Sequence, residues 1–164
     1  MKIIKELIPY IIIIVVVVLI RSFIVTPVVV NGTSMYPTLK DKDIVLLKKF
    51  DKNIERFDII VFNYNNSRLI KRVIGLPGEH VKYVNGILYI NNEKIEDVEL
   101  DVETYNFYLE DLGYDKIPDD YYFVLGDNRE VSQDSRIIGL VSKKDICGVG
   151  VFRIFPLNKI GIVK

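Results

Sequence analysis

Fourteen consecutive residues, Leu7 to Ile20 (LIPYIIIIVVVVLI), carry no charge. A helix apolar on every face must be covered by a large protein or by lipid, and a chain of 164 residues offers little to cover one. Fourteen residues fall short of the about 20 that a span needs, and they match the core of a signal peptide. The apolar character resumes at once, however, in Ser22-Phe23-Ile24-Val25. Arg21 can snorkel from a helix end toward the headgroups, and no small-residue A-x-A site follows the core. The tract therefore reads as an uncleaved transmembrane anchor over residues 7–26, behind a short cytoplasmic N-terminus of residues 1–6. Lys2, Lys5 and the amino terminus favour an inside N-terminus, which puts residues 27–164 outside the cytoplasm.

Composition excludes several functions. Lys and Arg number 22, as do Asp and Glu, so no electrostatic footprint for nucleic acid is present. The single cysteine, Cys147, rules out an internal disulfide. With one histidine and no HExxH or CxxC pattern, no zinc set can be assembled. The acidic run Glu96, Asp97, Glu99, Asp101 and Glu103 lacks the glycine of a calcium loop and reads as solvated. Neither a metal, a cofactor nor a nucleic-acid partner is expected, and a monomer suffices.

Past Pro27 the pattern becomes that of strands. Val28, Val30, Gly32 and Ser34 share a parity, so an extended segment would carry two valines and the serine on one face. Strands are predicted at Ile44–Leu47, Asp58–Phe62, Leu69–Ile74, His80–Val84, Tyr121–Leu125, Gly139–Val141 and Cys147–Phe155. Asn85-Gly86 between HVKYV and ILYI signals a type I′ hairpin. Residues 93–119 are polar and irregular, which predicts a surface insertion. The expected fold is mainly β, an antiparallel β-sandwich or partly closed barrel behind one N-terminal transmembrane helix.

Ser34, in NGTSMYPTL, raises a chemical question. A serine hydroxyl is a poor nucleophile until a base takes its proton. Two bases are available. His80 follows Pro77-Gly78-Glu79 in a turn, and Lys71 lies in LIKRVIGLPGE beside Ile70 and Arg72. Apolar neighbours and the Arg72 charge would both disfavour an ammonium and lower the Lys71 pKa. A third segment, GDNREVSQDSR, carries Asp127/Arg129 and Asp134/Arg136, whose charges can pair and stiffen the loop. Ser132 within it can then hydrogen-bond a neutral lysine amine and aim it.

In SMYPTL, KRVIGLPGE and GDNREVSQDSR, with DIIVF between the first two, the chain resembles bacterial type I signal peptidases (leader peptidases). The segments occur in the family's order behind an N-terminal anchor, over about Arg21 to Phe155, and the chain is similar to the compact single-anchor form. The resemblance implies Ser34 as nucleophile, Lys71 as general base and Ser132 as the residue that orients the lysine. Asp127, Arg129, Asp134, Arg136 and Arg72 would support them. Val28, Val30, Met35 and Ile70 would bind the substrate in a shallow pocket admitting small side chains, with the Val28–Ser34 strand pairing along an extended peptide. Signal peptides of exported preproteins and the lipid bilayer would be the partners.

Three positions depart from the family's usual pattern. Phe57 stands where a glycine is common, and Ile138 where an aromatic is. Gly32 replaces a serine that helps form the oxyanion hole in some relatives, so the hole would rest on backbone N–H groups, chiefly that of Ser34. Thr33 has the opposite parity. Two rival readings exist. A different Ser/Lys protease, such as a soluble self-cleaving repressor, fits poorly with the anchor. A non-catalytic membrane-tethered β-module leaves the Ser34, Lys71 and Ser132 segments unexplained.

Overall fold

A computed structural model describes residues 2–23, 25–49, 53–100 and 102–163. Helix α1 (Lys2–Phe23) leads into β1 (Val25–Val29), β2 (Ile44–Lys48), β3 (Ile59–Tyr64) and β4 (Ser67–Gly75). Then come β5 (Val81–Val84), β6 (Ile87–Ile90), β7 (Glu93–Ile95), β8 (Phe107–Tyr108) and β9 (Tyr121–Leu125). A short helix α2 (Ser135–Ile138) precedes β10 (Val141–Ser142), β11 (Ile146–Phe155) and β12 (Gly161–Val163). Every strand pair is antiparallel.

The larger sheet runs β1-β2-β11-β3-β4-β9-β10, with β12 on β11, and the smaller runs β7-β6-β5-β8. Strand β3 explains why the larger sheet has apolar material on both sides. Its residues Ile59, Ile60, Val61 and Phe62 are all buried, and successive side chains point to opposite faces. Ile59 and Val61 join one cluster with Val30, Met35, Leu39, Leu47 and Ile70. Ile60 and Phe62 join another with Val73, Val124 and Ile146. The first cluster takes residues from β2 through β4 and from the end of β1, so the sheet curls around it. No pairing joins β1 to β4 among the described residues.

The Asn85-Gly86 hairpin forms with both residues at positive φ, 50° and 76°, as a type I′ turn demands. Residues 93–119, expected to be a surface insertion, are built otherwise. They contribute β7 and β8, and Phe107, Leu109 and Ile117 are buried with Ile74, Tyr83 and Phe123 between the sheets. The Phe107 and Phe123 rings stack at 4.9 Å. Three apolar anchors among many charges leave the segment polar on average while it supplies core.

The expected anchor over residues 7–26 also needs correction at its end, because Val25 and Thr26 already pair with Lys48 and Leu47 of β2. Among the described residues, no helix is long and apolar enough to cross a membrane. The apolar side chains from Leu7 to Val18 on α1 are exposed. Met1, Ile24, Asp101 and the side chains of Lys2, Lys5 and Arg21 lie outside the described residues.

Candidate active site

Ser34 does not continue a strand from Val28, as the shared parity predicted. Strand β1 stops at Val29, and Gly32 at φ 93°, a region costly for residues with a Cβ, turns the chain away. The Gly32 N–H donates to Asp41 Oδ1 at 2.8 Å, and the Val30 N–H donates to the Asp43 carbonyl at 2.8 Å. Asp43 accepts in turn from the Lys40 N–H and from Arg153, each at 3.1 Å. Within the turn, the Leu39 N–H donates to the Met35 carbonyl at 2.8 Å. Met35 and Leu39 are 1% and 0% exposed and fix the turn to the apolar cluster inside the curl. Ser34 is held on a rigid base, and its own N–H donates to no acceptor among the described residues.

Lys71 reaches the serine from β4. Its Nζ lies 2.7 Å from Ser34 Oγ, and the residue is 2% exposed. Strand β4 pairs with β3 from Ser67 through Arg72, but with β9 only from Arg72 onward. Lys71 is thus the last residue on an unpaired edge. Burial penalises its ammonium and lowers its pKa from 10.5 to about 8, while Asp134 and Asp127 act in the opposite direction. Arg72 does not contribute the expected push, because Asp127 closes on its guanidinium with bonds of 2.8 and 2.6 Å.

The 126–136 loop is braced partly as predicted. Asp134 and Arg136 pair at 2.8 and 2.9 Å. Asp127 and Arg129 do not pair with each other: Asp127 takes Arg72, and Arg129 takes Asp97 at 2.9 Å. Asp134 also accepts the Gly126 N–H at 3.0 Å. Two contacts clamp the serine's turn to this loop. The Asn128 N–H donates to the Ser34 carbonyl at 3.0 Å, and Asn128 Nδ2 donates to the Thr33 carbonyl at 3.3 Å. Gly126 permits the approach, since a Cβ there would stand 2.4 Å from the Ser34 carbonyl oxygen and 2.2 Å from Ser132 Oγ. Neither Gly126 nor Asn128 was singled out from sequence. A hydrogen in place of a side chain leaves no chemical signal, and an asparagine bound through backbone partners 95 positions away leaves none in its own neighbourhood.

Ser132 is buried against Gly126, yet its hydroxyl has no hydrogen-bond partner among the described residues and so lacks the expected bond to Lys71. Among the described residues, the lysine amine hydrogen-bonds to Ser34 alone. His80, the other candidate base, is engaged at the smaller sheet, where Nε2 lies 2.9 Å from Glu110 Oε1 and its N–H donates to Asn91. Val28, Val30, Met35 and Ile70 line one cavity of about 380 Å³ together with Ser34 and Lys71. Phe57, at the position where glycine is common, has φ 69°, a region a bulky residue rarely adopts. Its carbonyl accepts from Arg72 Nη1 at 2.9 Å. Ile138 packs at the margin of the cluster that holds Val141 and Ile146. No group of residues that could hold a metal ion occurs among the described residues.

A family model described as signal peptidase, peptidase S26, matches residues 3–155. Signal peptidase I of Bacillus amyloliquefaciens is 42% identical over 161 residues, which cover 92% of this chain and 86% of the relative. Signal peptidase I S of Bacillus subtilis is 41% identical over 152 residues, 86% of this chain and 83% of the relative. Among solved structures, a signal peptidase I from Enterococcus faecalis V583 matches with a TM-score of 0.55 at 41% identity. That alignment spans 60% of this chain and 97% of the other.

Proposed function

The chain belongs to the signal peptidase family, peptidase S26, and from that premise we propose that Ser34 is its nucleophile and Lys71 its general base. The protein is a serine endopeptidase that removes signal peptides. The observation that carries the assignment is the 2.7 Å contact between Lys71 Nζ and Ser34 Oγ, with the lysine held 2% exposed. A neutral Lys71 takes the Ser34 proton as the oxygen attacks the scissile carbonyl, and gives it to the leaving amine. The same amine then activates the water that hydrolyses the acyl-enzyme. The Ser34 N–H, unused in the resting site, serves the oxyanion.

Ser132 orients the lysine by a hydrogen bond formed as the amine moves off Ser34 in the reaction, since in the resting site Nζ contacts Ser34 and not Ser132. A buried hydroxyl without a partner is rare in a folded protein, and this one sits within the space around Gly126 that it shares with the Ser34 carbonyl. The substrate enters as an extended chain along the unpaired edge of β4 at Ser67–Lys71 and past the end of β1, with small side chains seated among Val28, Val30, Met35 and Ile70. Asp127, Arg129, Asp134, Arg136 and Arg72 hold this floor in place. The first helix anchors the protein in the cell membrane with residues 27–164 outside the cytoplasm. Its uncharged run with exposed apolar side chains from Leu7 to Val18 supports that reading.

Ser34→Ala and Lys71→Ala are each expected to abolish cleavage of an exported precursor while the domain stays folded by circular dichroism. His80→Ala is expected to retain turnover. Near-normal turnover in Lys71→Ala would refute the lysine as base.

A further inference from the structure

Arg129 ties the loop beneath Ser34 to the smaller sheet. Its side chain is 1% exposed. Nε donates to the Gly126 carbonyl at 3.2 Å, and Nη1 donates to Asp97 Oδ2 at 2.9 Å, to Tyr83 Oη at 3.3 Å and to Thr104 Oγ1. The Tyr83 hydroxyl donates to the same Asp97 oxygen at 2.7 Å, and the guanidinium lies over the Tyr83 ring. Asp97 and Thr104 both belong to the connection between β7 and β8. Burial works against the Arg129 charge, but Tyr83, Asp97 and Asp127 outweigh it and hold its pKa above the ordinary arginine value.

We propose that Asp97 is a positioning residue for the Ser34–Lys71 pair, acting through Arg129 and the Gly126 peptide. The inference rests on the reading of Ser34 and Lys71 as nucleophile and base. The Gly126 peptide is gripped at both ends, its N–H by Asp134 and its carbonyl by Arg129. The same glycine packs directly on the Ser34 carbonyl and on Ser132. Any displacement of this peptide is therefore passed to the serine's turn. Asp97 supplies the carboxylate that pairs with Arg129 from outside the loop. Without it, the buried guanidinium loses its carboxylate, and a shift of the side chain toward another acceptor or water is expected to draw Nε off the Gly126 carbonyl. Asp97 has no hydrogen bond to Ser34 or Lys71, so its effect is carried entirely by geometry.

The test uses the full chain in detergent, with kcat, KM and Tm measured on a soluble peptide containing a signal-peptide cleavage site, across roughly pH 6 to 10. Asp97→Asn keeps the volume and removes the charge. It is expected to lower kcat by on the order of tenfold or more, since misplacements of about 1 Å cost up to roughly a hundredfold. KM should stay within about twofold, because no substrate contact is lost. The pKa of the rising limb should move up toward the ordinary lysine value, as a loosened loop lets water reach Lys71. Asp127, Asp134 and Arg72, the charged groups around that lysine, are unchanged in the variant. Asp97→Glu should restore part of kcat. Thr104→Val removes another acceptor of Arg129, should act in the same direction more weakly, and decides the matter if Asp97→Asn does not fold. A lowered Tm with kcat and the pH profile unchanged would overturn the proposal, and so would a raised KM alone. Ser34→Ala, run alongside, separates the two readings. If it is active the dyad assignment fails, whereas if it is inactive beside an unaffected Asp97→Asn only the positioning role fails.

Discussion

Lys71 carries its proton in the unfolded chain up to about pH 10.5, whereas in the fold burial lowers its pKa to about 8. Above pH 10.5 both states are neutral and the residue costs nothing. As pH falls from there to about 8, the unfolded chain binds a proton that the folded chain does not, so stability is lost across that window and stays lost below it. Lys71→Met fills the space without a charge. It should be inactive and more stable at pH 7 by roughly 3 kcal/mol, with the gap closing toward pH 10.5 in urea melts. The same shift sets the rate profile: kcat/KM should rise with pH through an apparent pKa of about 8, and a flat profile would exclude the lysine base. At this scale the sequence was informative where side-chain chemistry speaks. Ser34 and Lys71 stood out because a nucleophile needs a base, and Val28, Val30, Met35 and Ile70 share one cavity with them. Gly126 could not stand out, because its importance is the absence of atoms. Gly126→Ala should displace the Ser34 turn and reduce kcat by on the order of a hundredfold, measured on the soluble peptide with Tm as the control.

Strands β3 and β4 were readable because their apolar runs are long, and the I′ hairpin because Asn-Gly names its own turn. The short elements were not. Strand β8 has two residues, too few to display a period, and Phe107 reads as an isolated aromatic within a charged stretch. The shared parity of Val28 through Ser34 misled for a related reason. It assumed a continuous strand, whereas Gly32 turned the chain first. The two accounts of residues 93–119 predict different energetics. A surface insertion would tolerate Phe107→Ala with little change, while a residue 6% exposed and stacked on Phe123 should cost about 3 kcal/mol or more on removal. Chemical denaturation of Phe107→Ala measures the difference directly.

At the level of the whole molecule, the first helix and the catalytic domain meet within a residue or two, because α1 ends at Phe23 and β1 starts at Val25. A deletion of residues 1–23 that spares β1 should leave cleavage of the soluble peptide and its pH profile intact. It should slow cleavage of precursors in vesicles, where an anchor raises effective concentration without touching the chemistry. Equal losses on both substrates would mean that the helix supports the fold itself. Sheet order carries a separate consequence. Ser34 lies in the connection between β1 and β2, and Lys71 lies on β4 beside β3, yet β2 and β3 are not neighbours. Strand β11, residues 146–155, is inserted between them. If Ser34 and Lys71 are nucleophile and base as proposed, the sheet that unites them is complete only once residues 146–155 have docked, a long-range event. On that reading, a chain that has not yet seated β11 holds both residues without the sheet that aligns them, and the protease is expected to stay inactive, toward itself included, until that strand docks.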